Sequence, residues 1–149
     1  MPTQITTRSA RPEDKKSWLA LWHAYCADLE GTVSDMATDG LWQRILSPDQ
    51  PIWCLVACDG GGEPVGLAHY VLHLHTWSLH PVCYLEDLYV ALTARGGAGR
   101  QLIEGLVSLG RNEGWRRIYW HTHENNYRAR VLYDRLTPRT DYIRYDIDL

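Results

Sequence analysis

The sequence has 149 residues, 15 Lys and Arg against 18 Asp and Glu, and a formal net charge of −3. That length makes one domain, residues 1–149, with a sizeable core and no room for a second, and the mild acidity excludes a general nucleic-acid binder. No apolar run approaches the roughly 18 residues that span a bilayer, and the opening MPTQITTRSARPEDKK lacks the apolar core of a signal peptide, so no membrane partner is expected.

The four cysteines, Cys26, Cys54, Cys58 and Cys83, form no CxxC pair, and disulfide scaffolds are usually smaller and richer in cysteine. They read as buried thiols of a protein in a reducing cytoplasm. Gln4 to Ser9 is β-branched enough for a first strand. Pro12 suits the first turn of a helix, with Glu13 and Asp14 near its positive end. Trp18, Leu21, Trp22, Tyr25 and Leu29 then recur at helical spacing. The polar stretch Glu30 to Asp35 breaks that helix, and a second short helix runs from Thr38 to Leu46, before Pro48. Asp28, Glu30, Asp35 and Asp39 cluster around the break, either as a solvated acidic loop or as partners of a cationic ligand.

Ile52 to Cys58 is an almost unbroken apolar run, as in a strand buried on both faces. Asp59 to Pro64 makes a hairpin connection. Val65 to His75 is the return strand, Thr76 to Pro81 a loop, and Cys83 to Val90 the next strand. That strand runs into the turn Arg95-Gly96-Gly97-Ala98-Gly99-Arg100, after which a helix carries Leu102, Ile103, Leu106, Val107 and Leu109 inward, with Gly110 and Gly114 at its end. Glycines without Cβ atoms let a ligand approach the backbone. Amides at the start of the helix, with its dipole and the two arginines, suit a phosphate or pyrophosphate. The turn is neither a Walker loop nor the dinucleotide fingerprint, and taken alone it is equally a tight turn with ordinary arginines. Arg117 to His121 reads as a strand, Asn126 to Leu136 as a last helix ending before Pro138, and Asp141 to Leu149 alternates as a final strand. The expected fold is α/β, a central mixed, mostly antiparallel sheet of six to seven strands with helices on both faces.

Two stretches carry a family resemblance. Tyr84-Leu85-Glu86-Asp87-Leu88-Tyr89-Val90 with Arg95 to Arg100 resembles the acetyl-CoA segment of the GCN5-related N-acetyltransferases, written Arg/Gln-x-x-Gly-x-Gly/Ala. Asn126-Tyr127-Arg128-Ala129-Arg130-Val131-Leu132-Tyr133 resembles the Asn-x-x-Ala-x-x-Leu-Tyr signature of that family's last helix. Counting back from Gly97, the position of the motif's Arg or Gln holds Ala94, so the loop is one residue shorter than the pattern. Asp141-Tyr142 stands where the family often has Gly-Phe.

The resemblance implies an acetyl-CoA-dependent N-acetyltransferase acting directly on a small primary amine: a diamine, a polyamine or an amino-acid-like molecule. It implies that Leu88, Tyr89 and Val90 offer backbone groups to the pantetheine arm, and that Arg95, Gly96, Gly97, Ala98, Gly99 and Arg100 hold the pyrophosphate, with Asn126 reaching the cofactor. Tyr133 would protonate the departing thiolate. Glu86 would take the ammonium proton, since the strand's Tyr-Leu-Glu-Asp-x-x-Val is similar to that of the diamine acetyltransferases. Pairing of two chains is common for such a fold, so a homodimer is expected. Tyr133 is otherwise a core tyrosine, and Glu86 and Asp87 are otherwise strand-end charges. His69, His73 and His75 share one strand face and His121 and His123 another; His-x-His is metal-ligand spacing, but the pattern reads first as polar positions lining a cleft, with no metal. Trp53, Trp77, Trp115 and Trp120 read as core and rim, Trp77 being placed to line the acceptor site. A metal-binding β-rich protein built on the histidines, or an acyl-CoA-binding module without turnover, are the alternatives from other classes.

Overall fold

Five strands and four helices follow from these patterns in a computed structural model that describes residues 4–149. The strands are β1 (Thr6–Ser9), β2 (Ile52–Cys58), β3 (Pro64–His75), β4 (Ser78–Val90) and β5 (Arg117–Tyr119), lying side by side in that order. All neighbours are antiparallel except β4 and β5, which run parallel. The helices are α1 (Lys15–Asp28), α2 (Asp35–Leu46), α3 (Ala98–Glu113) and α4 (Tyr127–Leu136).

Local chemistry sets the ends. A single 3-10 turn at Pro12–Asp14 leads into α1. Asp14 there accepts two hydrogen bonds from the Arg8 guanidinium, at 2.7 and 2.9 Å, and one from the Arg11 backbone N–H at 2.8 Å, which ties β1 to the helix start. Ser34 caps α2 by accepting from the Ala37 N–H, so that helix begins before the expected Thr38. α3 stops at Gly114, whose φ of 75° is the left-handed stop that glycine takes without steric cost.

One sheet face is covered by α1 and α2, the other by α3 and α4. Trp18, Leu21 and Trp22 of α1 and Trp42 of α2 pack on Cys54, Val56, Cys58 and Leu67. Leu102, Ile103 and Leu106 of α3 pack on Leu55, Ala57, Ala68, Tyr70, Cys83 and Leu85. α3 lies close to the sheet because Gly105 faces Thr7 and Leu55, where a Cβ would come within 2.9 Å of the Thr7 hydroxyl.

Several expectations need correction. The sheet has five strands, not six to seven, because Asp141–Leu149 makes no strand: among the described residues the segment joins no ladder, and Tyr142, Ile143, Tyr145, Ile147 and Leu149 are exposed. Alternation supplies a strand's side-chain pattern, but the strand itself needs a neighbouring backbone. The loop expected over Thr76–Pro81 is a two-residue turn at Thr76 and Trp77, after which β4 starts at Ser78. Pro81 is tolerated because β5 pairs with β4 only from Val82 onward. The first strand begins at Thr6, and β5 ends at Tyr119. Cys54, Cys58 and Cys83 are buried free thiols, whereas Cys26 is half-buried. Among the described residues no helix is long and apolar enough to cross a membrane.

Candidate active site

β4 leaves its parallel neighbour halfway along. The β4–β5 ladder runs Val82 to Arg117, Cys83 to Ile118 and Tyr84 to Tyr119, and stops there. On its other side β4 stays paired with β3 as far as Val90, opposite Gly66. From Glu86 to Val90 the strand therefore presents one open backbone edge, the kind that accepts an extended ligand as an added strand. Leu88, Tyr89 and Val90 all lie on it.

The edge points at the glycine turn. After a 3-10 turn at Leu92–Ala94, Gly96 takes a φ of 128°, a conformation that L side chains rarely adopt. Gly97 is extended and precedes α3 directly. The first hydrogen bond into the helix runs from the Gln101 N–H to the Gly97 carbonyl at 3.0 Å, which leaves the amides of Ala98, Gly99 and Arg100 without helical acceptors. A Cβ added at Gly96 or Gly97 would meet nothing within 4 Å, so the turn itself is not packed against the rest of the fold. Gly99 serves packing instead: its Cβ would sit 3.4 Å from Leu132 of α4. The two arginine side chains turn away from the amides. Arg95 donates to the Val90 carbonyl at 3.4 Å and stands 4.0 Å from Asp28, while Arg100 pairs with Glu104 at 2.8 Å.

α4 overhangs the open edge. Tyr133 is half-buried and, like Leu88, Val90 and Leu132, packs against the α3-side core, with its ring edge-on to Trp120 at 5.3 Å. Its hydroxyl makes no hydrogen bond among the described residues, and burial raises the phenol above its ordinary pKa. It therefore stays protonated at neutral pH. Asn126 is occupied as the cap of α4, accepting from the Ala129 N–H at 3.4 Å and donating to Thr122 at 3.1 Å.

Before its open edge β4 carries a bulge. Tyr70 opposes Leu85 and His69 opposes Asp87, so Glu86 is an extra residue with no partner on β3. Leu85 and Leu88 both reach the α3 core although three residues apart, which an unbroken strand forbids. The bulge sends two consecutive carboxylates, Glu86 and Asp87, to the α1 face. Desolvation, and next the charge of Asp87, hold the Glu86 carboxyl above the usual carboxylate range, while Arg144, His69 and His121 pull the other way.

Behind Asp87 stands a group that sequence reasoning misplaced. His69, expected to line a cleft, is fully buried. Its Nδ1 lies 2.9 Å from Asp87 Oδ2, and its Nε2 accepts from the indole N–H of Trp18 at 2.9 Å. The Tyr25 hydroxyl also neighbours Asp87, and together with burial that carboxylate pushes the phenol strongly up. A histidine inside an apolar strand was the available signal, but its partners come from other elements.

His73 and His121 have partners of their own. His73 donates from Nδ1 to the Leu74 carbonyl at 2.8 Å, and its Nε2 pairs with the Tyr119 hydroxyl at 2.9 Å. His121 meets the Tyr84 hydroxyl at 3.2 Å. Among the described residues no three His, Cys, Asp or Glu side chains converge as a metal site requires. Trp77, expected beside the acceptor, is exposed at the β3–β4 hairpin tip. Asp28, Glu30, Asp35 and Asp39 are all exposed.

The sequence matches the Acetyltransferase (GNAT) family over residues 15–137. It is 33% identical over 144 residues to the D-amino-acid N-acetyltransferase HPA3 of Saccharomyces cerevisiae, covering 95% of this chain and 89% of that protein. An aminoglycoside acetyltransferase from an uncultured soil metagenomic sample, solved with trehalose, has the same fold, with a TM-score of 0.80 at 18% identity and coverage of 97% of this chain and 96% of that one. A ribosomal-protein-alanine N-acetyltransferase from Brucella melitensis biovar Abortus 2308 has a TM-score of 0.81 at 18% identity, covering 98% of this chain and 100% of that one.

Proposed function

We propose, from the premise that this chain belongs to the GNAT family of acetyltransferases and is an acyltransferase with acetyl-CoA as co-substrate, that it acetylates a small primary amine of the amino-acid kind at the α1 face of β4. The observation that carries this reading is the open edge of β4 running directly into the bare amino terminus of α3. An extended pantetheine and a pyrophosphate require that pairing of features in that order. Acetyl-CoA supplies the activated acyl group as a thioester.

The residues divide the rest of the work. The backbone of Leu88, Tyr89 and Val90 takes the pantetheine amides, and the amides from Gly97 to Arg100 take the pyrophosphate, with Gly96 giving the turn its shape. The shorter loop can keep this geometry because the positive φ sits at Gly96, one residue before the N-cap Gly97. Arg95 and Arg100 contribute through their backbone position, and Asn126 through holding α4 in place. Tyr133 keeps its proton until a thiolate leaves and then donates it, an uphill transfer to a thiolate near 8.5 because burial raises the phenol. An ammonium near pKa 10.4 must lose a proton before its nitrogen can attack the thioester carbon. Glu86 takes it, helped by a carboxyl already raised by desolvation and by Asp87.

The amino-acid class is supported by the 33% identity to an enzyme named for D-amino acids, and Arg144 is a cation close enough to act on Glu86. A diamine or polyamine is the second reading, favoured by the acidic residues Asp28, Glu30, Asp35 and Asp39 beyond the end of α1. A panel of D- and L-amino acids, diamines and monoamines assayed with acetyl-CoA by free thiol release decides between them. Turnover on none of these classes, with acetyl-CoA bound, would mean a binding module. We further place the protein in the cytoplasm, on its free cysteines, and as a homodimer, on its unpaired tail.

A further inference from the structure

We propose that His69, held in a single tautomer by Trp18, is a positioning residue of the acceptor site that acts through Asp87. The inference rests on the acceptor site lying at the α1 face of β4. An indole N–H can only donate, so Nε2 of His69 must carry its lone pair toward Trp18, at 2.9 Å. The imidazole proton is thereby assigned to Nδ1, which donates to Asp87 Oδ2 at 2.9 Å. A second proton on Nε2 would face the Trp18 N–H with no acceptor between them.

The ring has no freedom to do anything else. His69 is fully buried, as is Trp18, and its ring is wedged 5.9 Å from Trp18 and 5.2 Å from Trp22. The groups facing it are Asp87 and the bulged Glu86 from β4 and Trp18 and Trp22 from α1, with the Tyr25 phenol beyond Asp87. Among the described residues no lysine or arginine forms an ion pair with Asp87. A plain core would have used an apolar residue at position 69, since burying an imidazole and an indole N–H costs free energy unless both are bonded. The chain from Trp18 to His69 instead fixes the orientation of a partly exposed carboxylate on the bulge, where an acceptor ammonium arrives. Preset orientation of that kind lowers the cost of binding the cation.

The test combines nitrogen NMR of the histidine ring with steady-state kinetics on the panel's best acceptor. In the wild-type protein, His69 is expected to show a protonated Nδ1 and an unprotonated Nε2. Trp18→Phe removes the donor together with part of a fully buried ring, so some loss of stability accompanies it. The variant is expected to let the other tautomer appear and to raise the acceptor KM about tenfold, with the acetyl-CoA KM within about twofold. Asp87→Asn should raise the acceptor KM at least as much. A wild-type spectrum with the proton on Nε2 overturns the proposal without any variant. So does a folded Trp18→Phe protein whose melting temperature falls while its acceptor KM stays unchanged, since that is a purely structural indole. Neither readout depends on which group takes the ammonium proton, so a fully active Glu86→Gln variant would remove Glu86 as the base and leave this proposal standing.

Discussion

In the proposed mechanism Tyr133 and Glu86 act on different protons, so their removal would leave different signatures. The Tyr133 hydroxyl has no partner among the described residues, so Tyr133→Phe should leave the melting temperature almost unchanged. Turnover should fall by about 10²-fold or more, the scale of a lost general acid, with acetyl-CoA affinity within a few fold. Normal turnover in this variant would return Tyr133 to the core. For Glu86 the sign follows from its raised carboxyl, since the basic form is lost as pH falls through a value above the ordinary carboxylate range. Wild-type kcat/KM should therefore decline on the acid side earlier than an unperturbed glutamate would allow. The deficit of Glu86→Gln should be largest just above that limb and shrink as pH approaches the amine's own pKa near 10.4. A deficit equal at every pH would make Glu86 a positioning group.

At the scale of elements, the turn between β4 and α3 depends on one backbone angle. Gly96 holds a φ of 128°, and a β-branched residue there costs roughly 1–3 kcal/mol of strain. Gly96→Val should abolish acetyl-CoA binding in calorimetry while the sheet persists; full affinity in a folded variant would remove the turn from the site. Of the three glycines in the turn only Gly96 has this angle; Gly97 is the N-cap of α3 and Gly99 makes room for Leu132. At the other end, Asp14 staples β1 to α1. The Arg8 hydrogen bonds, ahead of the opposing cost of burial, hold its carboxyl below the ordinary value. That stabilisation is present above the unfolded pKa near 3.9 and lost as pH falls through the lower folded value. Asp14→Asn should cost about 2 kcal/mol at neutral pH. Thermal melts should show the gap between variant and wild type closing in strong acid; a gap independent of pH would mean that charge is not its cause.

Over the whole molecule, an unpaired strand pattern and an unfilled groove are present together. Tyr142, Ile143, Tyr145, Ile147 and Leu149 lie exposed along the tail. An open groove of about 640 Å³ between α3, β5 and α4 is lined by Ile103, Val107, Trp115, Ile118, Trp120 and Leu136. Among the described residues the outer edge of β5 beside it carries no strand. A homodimer whose chains exchange tails would pair that edge and bury both surfaces. Sedimentation should then give a dimer for the wild-type chain and a monomer for Ile147→Arg, and a wild-type monomer at micromolar concentration rules the exchange out.

The sequence by itself determined what depends on neighbours along the chain. The periodicity of Trp18, Leu21 and Trp22, the apolar run of β2, the glycine turn and the Asn126-to-Tyr133 spacing are local patterns, and each sits where its pattern put it. That was enough for the order of the elements before the tail and for the family. What only the tertiary structure decided depends on partners distant in sequence. The bulge that turns Glu86 and Asp87 to one face is a register property of β4 against β3, and no residue in β4 alone encodes it. His69 is a positioning group because Trp18, 51 residues earlier, supplies a donor and Asp87, 18 residues later, an acceptor. The tail alternates like a strand but forms none, since a strand is a pairing of backbones, and among the described residues none lies beside it.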